Sequence, residues 1–176
     1  MNIILNESQR ILKSSTREFL DKECPKEFVR SMEEDTNGYT QELWGKLANI
    51  GWLGYVLPEE SGGLDGDLFD LGLIVEEIGY AAMPGPFFPT AILGANLVQS
   101  IGSPTQKAEI LPRLAKGELF LTTAFMEPHG GMSPKDTQTS AIRDGNSYLI
   151  TGTKLFVSDA HIANYIICVV KIDPET

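Results

Sequence analysis

Cysteine, histidine and positive charge are all scarce in this chain. The two cysteines, Cys24 and Cys168, are far apart and fit no metal or redox spacing. No disulfide framework is expected, and reduced thiols of a cytoplasmic protein are the simplest account. The two histidines, His129 and His161, have no partner at metal-ligand spacing, so no metal is expected either. Lys and Arg number 14 against 24 Asp and Glu, a formal net charge of -10. With no basic stripe to displace counterions from phosphate, nucleic acid is excluded as a partner, and so is an anionic membrane surface. No apolar run approaches membrane-spanning length. The opening "MNIILNESQR" lacks the basic region and long apolar stretch of a secretory signal. There is no G-x-G-x-x-G after a strand, no G-x-x-x-x-G-K-[ST] and no G-x-S-x-G. Dinucleotide, P-loop and nucleophile-elbow chemistry therefore have no signature here.

What is present is a globular composition, 42% hydrophobic and 22% charged over 176 residues. A chain of that length buries roughly two-thirds of its unfolded surface. Helical patterning fills the first two-thirds. Asn6 caps a helix carrying Ile11, Leu12, Phe19 and Leu20, which Pro25 ends. Thr40 caps a second, with Leu43, Trp44 and Leu47 on one face and Gly51 at its exit. After the loop "LPEESGGLDGD", the stretch "LFDLGLIVEEIGYAAM" is apolar nearly all round, which predicts a buried helix. "MPGPFFP" breaks the chain before the helix "TAILGANLVQSIG". Ser103, Pro104 and Gln106 then form a capping-box signature, and Gly117 stops the helix they open. The paired acids Glu59–Glu60 and Glu76–Glu77 are expected on a solvated surface rather than as catalytic dyads.

Near Leu119 the texture changes. "LFLTTAFM" is short, apolar and β-branched, "TQTSAIRDGNSYLITGTKLFVSDA" alternates around the turn pair Asp144–Gly145, and "NYIICVVKI" follows. Helices first and strands second is an α+β pattern: an all-α domain over residues 1–118, then antiparallel strands of an incomplete β-barrel-like domain over 119–176. So few strands leave open edges, and their remaining partners are expected in another segment.

The ordered set "GWLGYVLPEESGG", "VEEIG", "AEILPRLAKGEL", "AFMEPHGG" and "SYLITGTKLFVSDAHIANYIICVV" resembles the N-terminal half of an acyl-CoA dehydrogenase along essentially the whole chain. The resemblance implies FAD as cofactor and α,β-dehydrogenation of an acyl-CoA thioester. A carboxylate takes the α-proton while hydride passes from the β-carbon to flavin N5. It implies an electron-transfer flavoprotein or similar acceptor, and a homotetramer or homodimer. It places Thr123, Phe125, Met126, Gly131 and Met132, then Phe156, Val157 and Ser158, against the flavin, and Met132 and Ser133 beside substrate. Phe156 would pack on the ring, and Ser158 would bring a hydroxyl near N5. The glycines would let backbone N–H groups approach the pyrophosphate. Glu127 is implied to be a structural loop residue, and the family's catalytic carboxylate belongs to a C-terminal domain, so no catalytic residue is assigned.

The sequence also departs from the family pattern. Met126 stands where Thr precedes Glu-Pro, and Gly130, Gly131, Met132, Ser133 replace Ala-Gly-Ser-Asp. Neither methionine side chain donates a hydrogen bond. Phe156 replaces the common Trp and Ser158 the common Thr. An alternative reading follows: a catalytically silent, acyl-CoA-dehydrogenase-like subunit serving as structural partner of an active one.

Overall fold

The protein was analysed as a computed structural model, which describes residues 4–131 and 133–172. Its helices are α1 (Glu7–Glu23), α2 (Lys26–Met32), α3 (Gln41–Asn49), α4 (Leu68–Ala81), α5 (Ala95–Ile101) and α6 (Pro104–Ala115). The strands are β1 (Leu121–Ala124), β2 (Ser140–Asp144), β3 (Ser147–Thr151), β4 (Tyr165–Cys168) and β5 (Lys171–Ile172). The fold class is α+β, and the caps are where local chemistry puts them. Asn6 with Gln9, and Ser103 with Gln106, close reciprocal capping boxes, and the Thr40 side chain accepts from the Leu43 N–H. Among the described residues, no helix is long and apolar enough to cross a membrane.

Two expectations about α4 are corrected. The helix is buried on one face only: Leu71, Leu73 and Ile74 point inward, while Leu68, Phe69 and Tyr80 are exposed. Of its acid pair, Glu76 is solvated but Glu77 is 1% exposed. Neighbouring residues on a helix face different ways, and Glu77 turns toward α1. There the Arg17 guanidinium pairs with it and also lies 3.5 Å from the Tyr80 ring centre. The Lys13 ammonium is 2.6 Å from Glu76 and 3.7 Å from Glu77, and Gln9 donates to Asp70 at 2.9 Å. These partners are some sixty positions away in sequence, so nothing local announces the buried carboxylate.

The break before α5 ends earlier than the prolines suggest. A π-helical segment, Phe88–Gly94, contains Pro89 and runs straight into α5. Pro89 sits in its first turn, where a missing N–H costs nothing. The segment packs on β1. The buried Thr90 hydroxyl donates to the Leu121 carbonyl (2.9 Å) and accepts from the Leu121 N–H (3.2 Å). Gly94 is required there, because a Cβ would lie 2.5 Å from that of Leu121.

β1 is set into the helical core by its alternation. Phe120 joins Leu20, Trp44, Leu47 and Ile74, its ring 5.0 Å from Trp44 and 5.1 Å from Tyr39. Leu119 and Leu121 join Leu57, Ala95, Leu111 and Leu114 instead.

The expected antiparallel pairing holds for β2 with β3 alone. β1 pairs with β4 in parallel, and β2 pairs with β5 in parallel. The stretch read as one strand, "NYIICVVKI", divides: β4 lies on β1, the chain steps across Val169 and Val170, and β5 joins β2. One segment thus links two sheets, which short-range alternation cannot reveal. The hairpin turn is centred one residue later than expected. Asp144 pairs with Ser147, leaving Gly145 (φ 60°) and Asn146 as the loop. Residues 155–158, expected as strand, form none; they lead into a turn.

Candidate functional site

β1 runs into the loop that begins at Phe125, and this loop is built around a carboxylate. Glu127 is 7% exposed. It accepts from the Gln138 N–H (2.8 Å), the Thr139 N–H (2.9 Å) and the Lys154 ammonium (2.7 Å). The Lys154 ammonium first, then the donors of Thr139 and Gln138, hold its carboxyl well below the usual glutamate range. Lys154 also donates to the Phe125 carbonyl (3.4 Å). Glu127 is thereby occupied in tying the loop to the chain on either side of the β2–β3 hairpin.

Beyond it, Phe125, Gly131 and Ser133 line a cleft of about 210 Å³ with Glu127, His129 and Asp136. Gly130 and Gly131 take φ of 74° and 90°, which side chains avoid. A Cβ on Gly131 would lie 2.6–2.8 Å from the Asp136 side chain, so the glycine first serves a contact inside the loop. Ser133 and Asp136 cap the turn between them, with the Ser133 N–H 3.3 Å from Asp136 Oδ2. His129 Nε2 lies 2.7 Å from the Asp136 carbonyl oxygen, and the Gly130 N–H donates to Glu127 O.

The second segment is different. Phe156 adopts φ 53° and is 83% exposed. For a bulky non-glycine residue that conformation costs about 1–2 kcal/mol. Asp159 also stands at φ 53°, and burial pushes its carboxyl above the usual aspartate value. The Leu155 N–H donates to the Met126 carbonyl (2.9 Å), and the Thr122 hydroxyl donates to the Ser158 carbonyl (2.6 Å).

The sequence-predicted residues therefore fall into two groups. Phe125, Gly131 and Ser133 share the cleft; Met126 joins Phe156, Val157 and Ser158 through the Leu155 bond. Thr123 is half-buried within β1, paired with Ile167. Met132 lies outside the described residues. Sequence reasoning missed Thr90, Thr122 and Lys154, which look like ordinary helix, strand and surface residues until their partners are seen.

The two groups answer differently to a flavin. The exposed Phe156 ring, two residues from Ser158, suits a flat, largely apolar ring system. The Gly130–Gly131 end does not suit a pyrophosphate: the Glu127 and Asp136 carboxylates line the same cleft, and the Gly130 and Ser133 N–H groups are used within the loop.

Residues 6–118 match the model of the acyl-CoA dehydrogenase N-terminal domain. The chain is 31% identical to acyl-CoA dehydrogenase FadE29 of Mycobacterium tuberculosis over 176 residues, covering 99% of this chain and 45% of that protein. Among solved structures it resembles a chain of the ChsE4–ChsE5 complex of Mycobacterium tuberculosis, with TM-score 0.85 and 29% identity over 99% of this chain and 45% of that one. It also resembles a chain of the Tcur3481–Tcur3483 steroid ACAD, with TM-score 0.83 and 29% identity over 100% of this chain and 46% of that one. The chain belongs to the acyl-CoA dehydrogenase family and spans about half the length of these relatives.

Proposed function

We propose that this chain forms the flavin-facing, N-terminal part of a dehydrogenase that introduces a Cα–Cβ double bond into an acyl-CoA thioester. The observation that carries the reading is Phe156, an aromatic ring left in water on a left-handed backbone that the surrounding structure holds in place. FAD, when bound, supplies the two-electron acceptor for the hydrogens removed from the substrate. Phe156 and Val157 would cover one side of its ring and exclude water, and Ser158 would donate a hydrogen bond to it. Thr123 in β1, and Phe125 and Met126 just after it, would face the flavin, with Ser133 toward substrate. The division of the chain into a helical unit over 1–118 and a strand-bearing unit over 119–176 belongs to this reading, as do a cytoplasmic location, assembly as a homodimer or homotetramer, and an electron-transfer flavoprotein or similar acceptor. The absorbance spectrum of the purified natural protein tests it. Flavin bands near 1:1, bleached by an acyl-CoA, are expected; an intact protein that takes up no FAD supplied in excess would sink the proposal.

A second reading is favoured by Met126, which has no hydroxyl to offer, and by the carboxylates beside Gly131. The chain would then be a catalytically silent partner of a second, flavin-loaded dehydrogenase chain. The two-component complexes among its structural relatives make such an arrangement reasonable. Co-purification with a distinct flavin-bearing homologue is the expected result under this reading. A homo-oligomer that turns over acyl-CoA unaided excludes it.

A further inference from the structure

We infer that Thr122 is a positioning residue, whose hydroxyl fixes the Phe156–Asp159 turn, and with it the Phe156 ring and the Ser158 hydroxyl, against β1. The inference rests on the flavin-facing reading of that turn. Thr122 is 1% exposed, and its Oγ1 donates to the Ser158 carbonyl at 2.6 Å. The strand that carries it is held on both edges. On one side the Phe120 carbonyl accepts from Asn164 and Tyr165, and the Ala124 carbonyl accepts from Val169. On the other, the Thr90 hydroxyl satisfies both backbone groups of Leu121. Thr122 thus sits in a strand tied on both edges.

The turn needs such an anchor. Phe156 and Asp159 both stand at φ 53°, a conformation that aspartate tolerates but that a bulky side chain such as Phe156 keeps only when its surroundings enforce it. The Leu155–Met126 bond fixes the entry, and the Ile162 N–H, donating to the Asp159 carbonyl at 3.2 Å, closes the exit. Between them, the bond from Thr122 ties the middle of the turn to the strand. With it removed, Phe156 is free to relax toward negative φ, which would swing the ring away from where the backbone now aims it.

The test uses the natural full-length protein with Thr122→Val, which keeps the shape and deletes the hydroxyl, and Thr122→Ser, which keeps the hydroxyl. Leaving the Ser158 carbonyl without its donor should speed exchange of the Leu155 and Ile162 amides, which close the two ends of the turn, by about tenfold or more. Protection of α3 and α6 should stay as in the wild type, and FAD affinity should fall by about five- to tenfold. Thr122→Ser should restore both. Faster exchange with unchanged FAD affinity still supports Thr122 as the brace of the turn, while overturning the flavin-facing reading of Phe156. Exchange in the turn that does not respond to Thr122→Val, or that is equally fast in Thr122→Ser, overturns the inference.

Discussion

The turn at 155–159 and the loop at 127–137 descend from neighbouring stretches of backbone, yet they satisfy themselves in opposite ways. The loop is closed on itself: Glu127 collects three donors, Asp136 caps Ser133, and Gly131 exists to admit Asp136. The turn is held from outside, by Met126 and Thr122, and spends that support on a strained residue whose ring faces water. Self-sufficient polar loops need no ligand to be stable. A strained aromatic held out into water is instead a candidate contact for one. On the proposed function, the difference would put the receptive part of the site at the turn.

The sharpest way to break this comparison is to take away the support. Leu121→Ala would open a cavity under β1, between α5 and α6, and should cost about 3–4 kcal/mol. Because the turn leans on β1, exchange protection of the Leu155 and Ile162 amides should be lost along with that of the strand. Ser133→Ala, which removes only a cap within the loop, should cost about 1 kcal/mol and leave the turn untouched. A turn that keeps its protection in Leu121→Ala would have to be supported by something other than β1.

Gly131→Ala examines the loop's self-packing. The new methyl meets Asp136 on a backbone at φ 90°, so a loss of about 2–3 kcal/mol is expected. Combining it with Asp136→Ala should recover the steric share, giving a coupling of about 1 kcal/mol in a double-mutant cycle, while the backbone strain remains. Strict additivity would mean that Asp136 is not the reason for the glycine.

The loop should also respond to acid where the turn's brace does not. Glu127 has its folded pKa held below the ordinary value of 4.5, so its stabilising effect is fully present above that pH and is lost as pH falls toward the folded value. The stability gap between wild type and Glu127→Gln should be constant from pH 7 to about 5 and close steadily at lower pH. The bond between two uncharged groups, Thr122 and the Ser158 carbonyl, should show no such dependence. A gap that widens on acidification would reverse the assignment of the charged form to the folded loop.

What was legible in the sequence was whatever is decided within a few residues. Asn6, Thr40 and Ser103 cap helices by bonding the third residue along, and Gly117 ends α6 at φ 73°, so each could be read where it stands. The family was legible because its loops keep their order. The burial of Glu77, the parallel pairings of β1 and β5, and the anchoring role of Thr122 were not. Each depends on a partner 30 or more positions away, and a β-branched residue in a strand looks the same whether its hydroxyl is used or idle. The left-handed Phe156 was hidden for a further reason: propensity argues against it, so only its surroundings could reveal it.

The smallest effect is the most specific to the turn. Asp159 shares the left-handed backbone of Phe156, and burial raises its carboxyl pKa above the ordinary 3.8, with only partial relief from His161. A carboxyl raised in the fold is penalised there when ionised. The penalty is fully present above the folded pKa and vanishes below the unfolded one. Asp159→Asn removes the charge and keeps a side chain that tolerates positive φ. At pH 7 it should therefore slow opening of residues 156–159 by a few tenths of a kcal/mol. At pH 3, where the wild-type carboxyl is already protonated, the gain should be gone. A gain of equal size at both pH values would assign the effect to backbone preference alone. A loss at pH 7 would mean that the ionised carboxylate helps to hold the turn, beside Thr122 and the Leu155–Met126 bond.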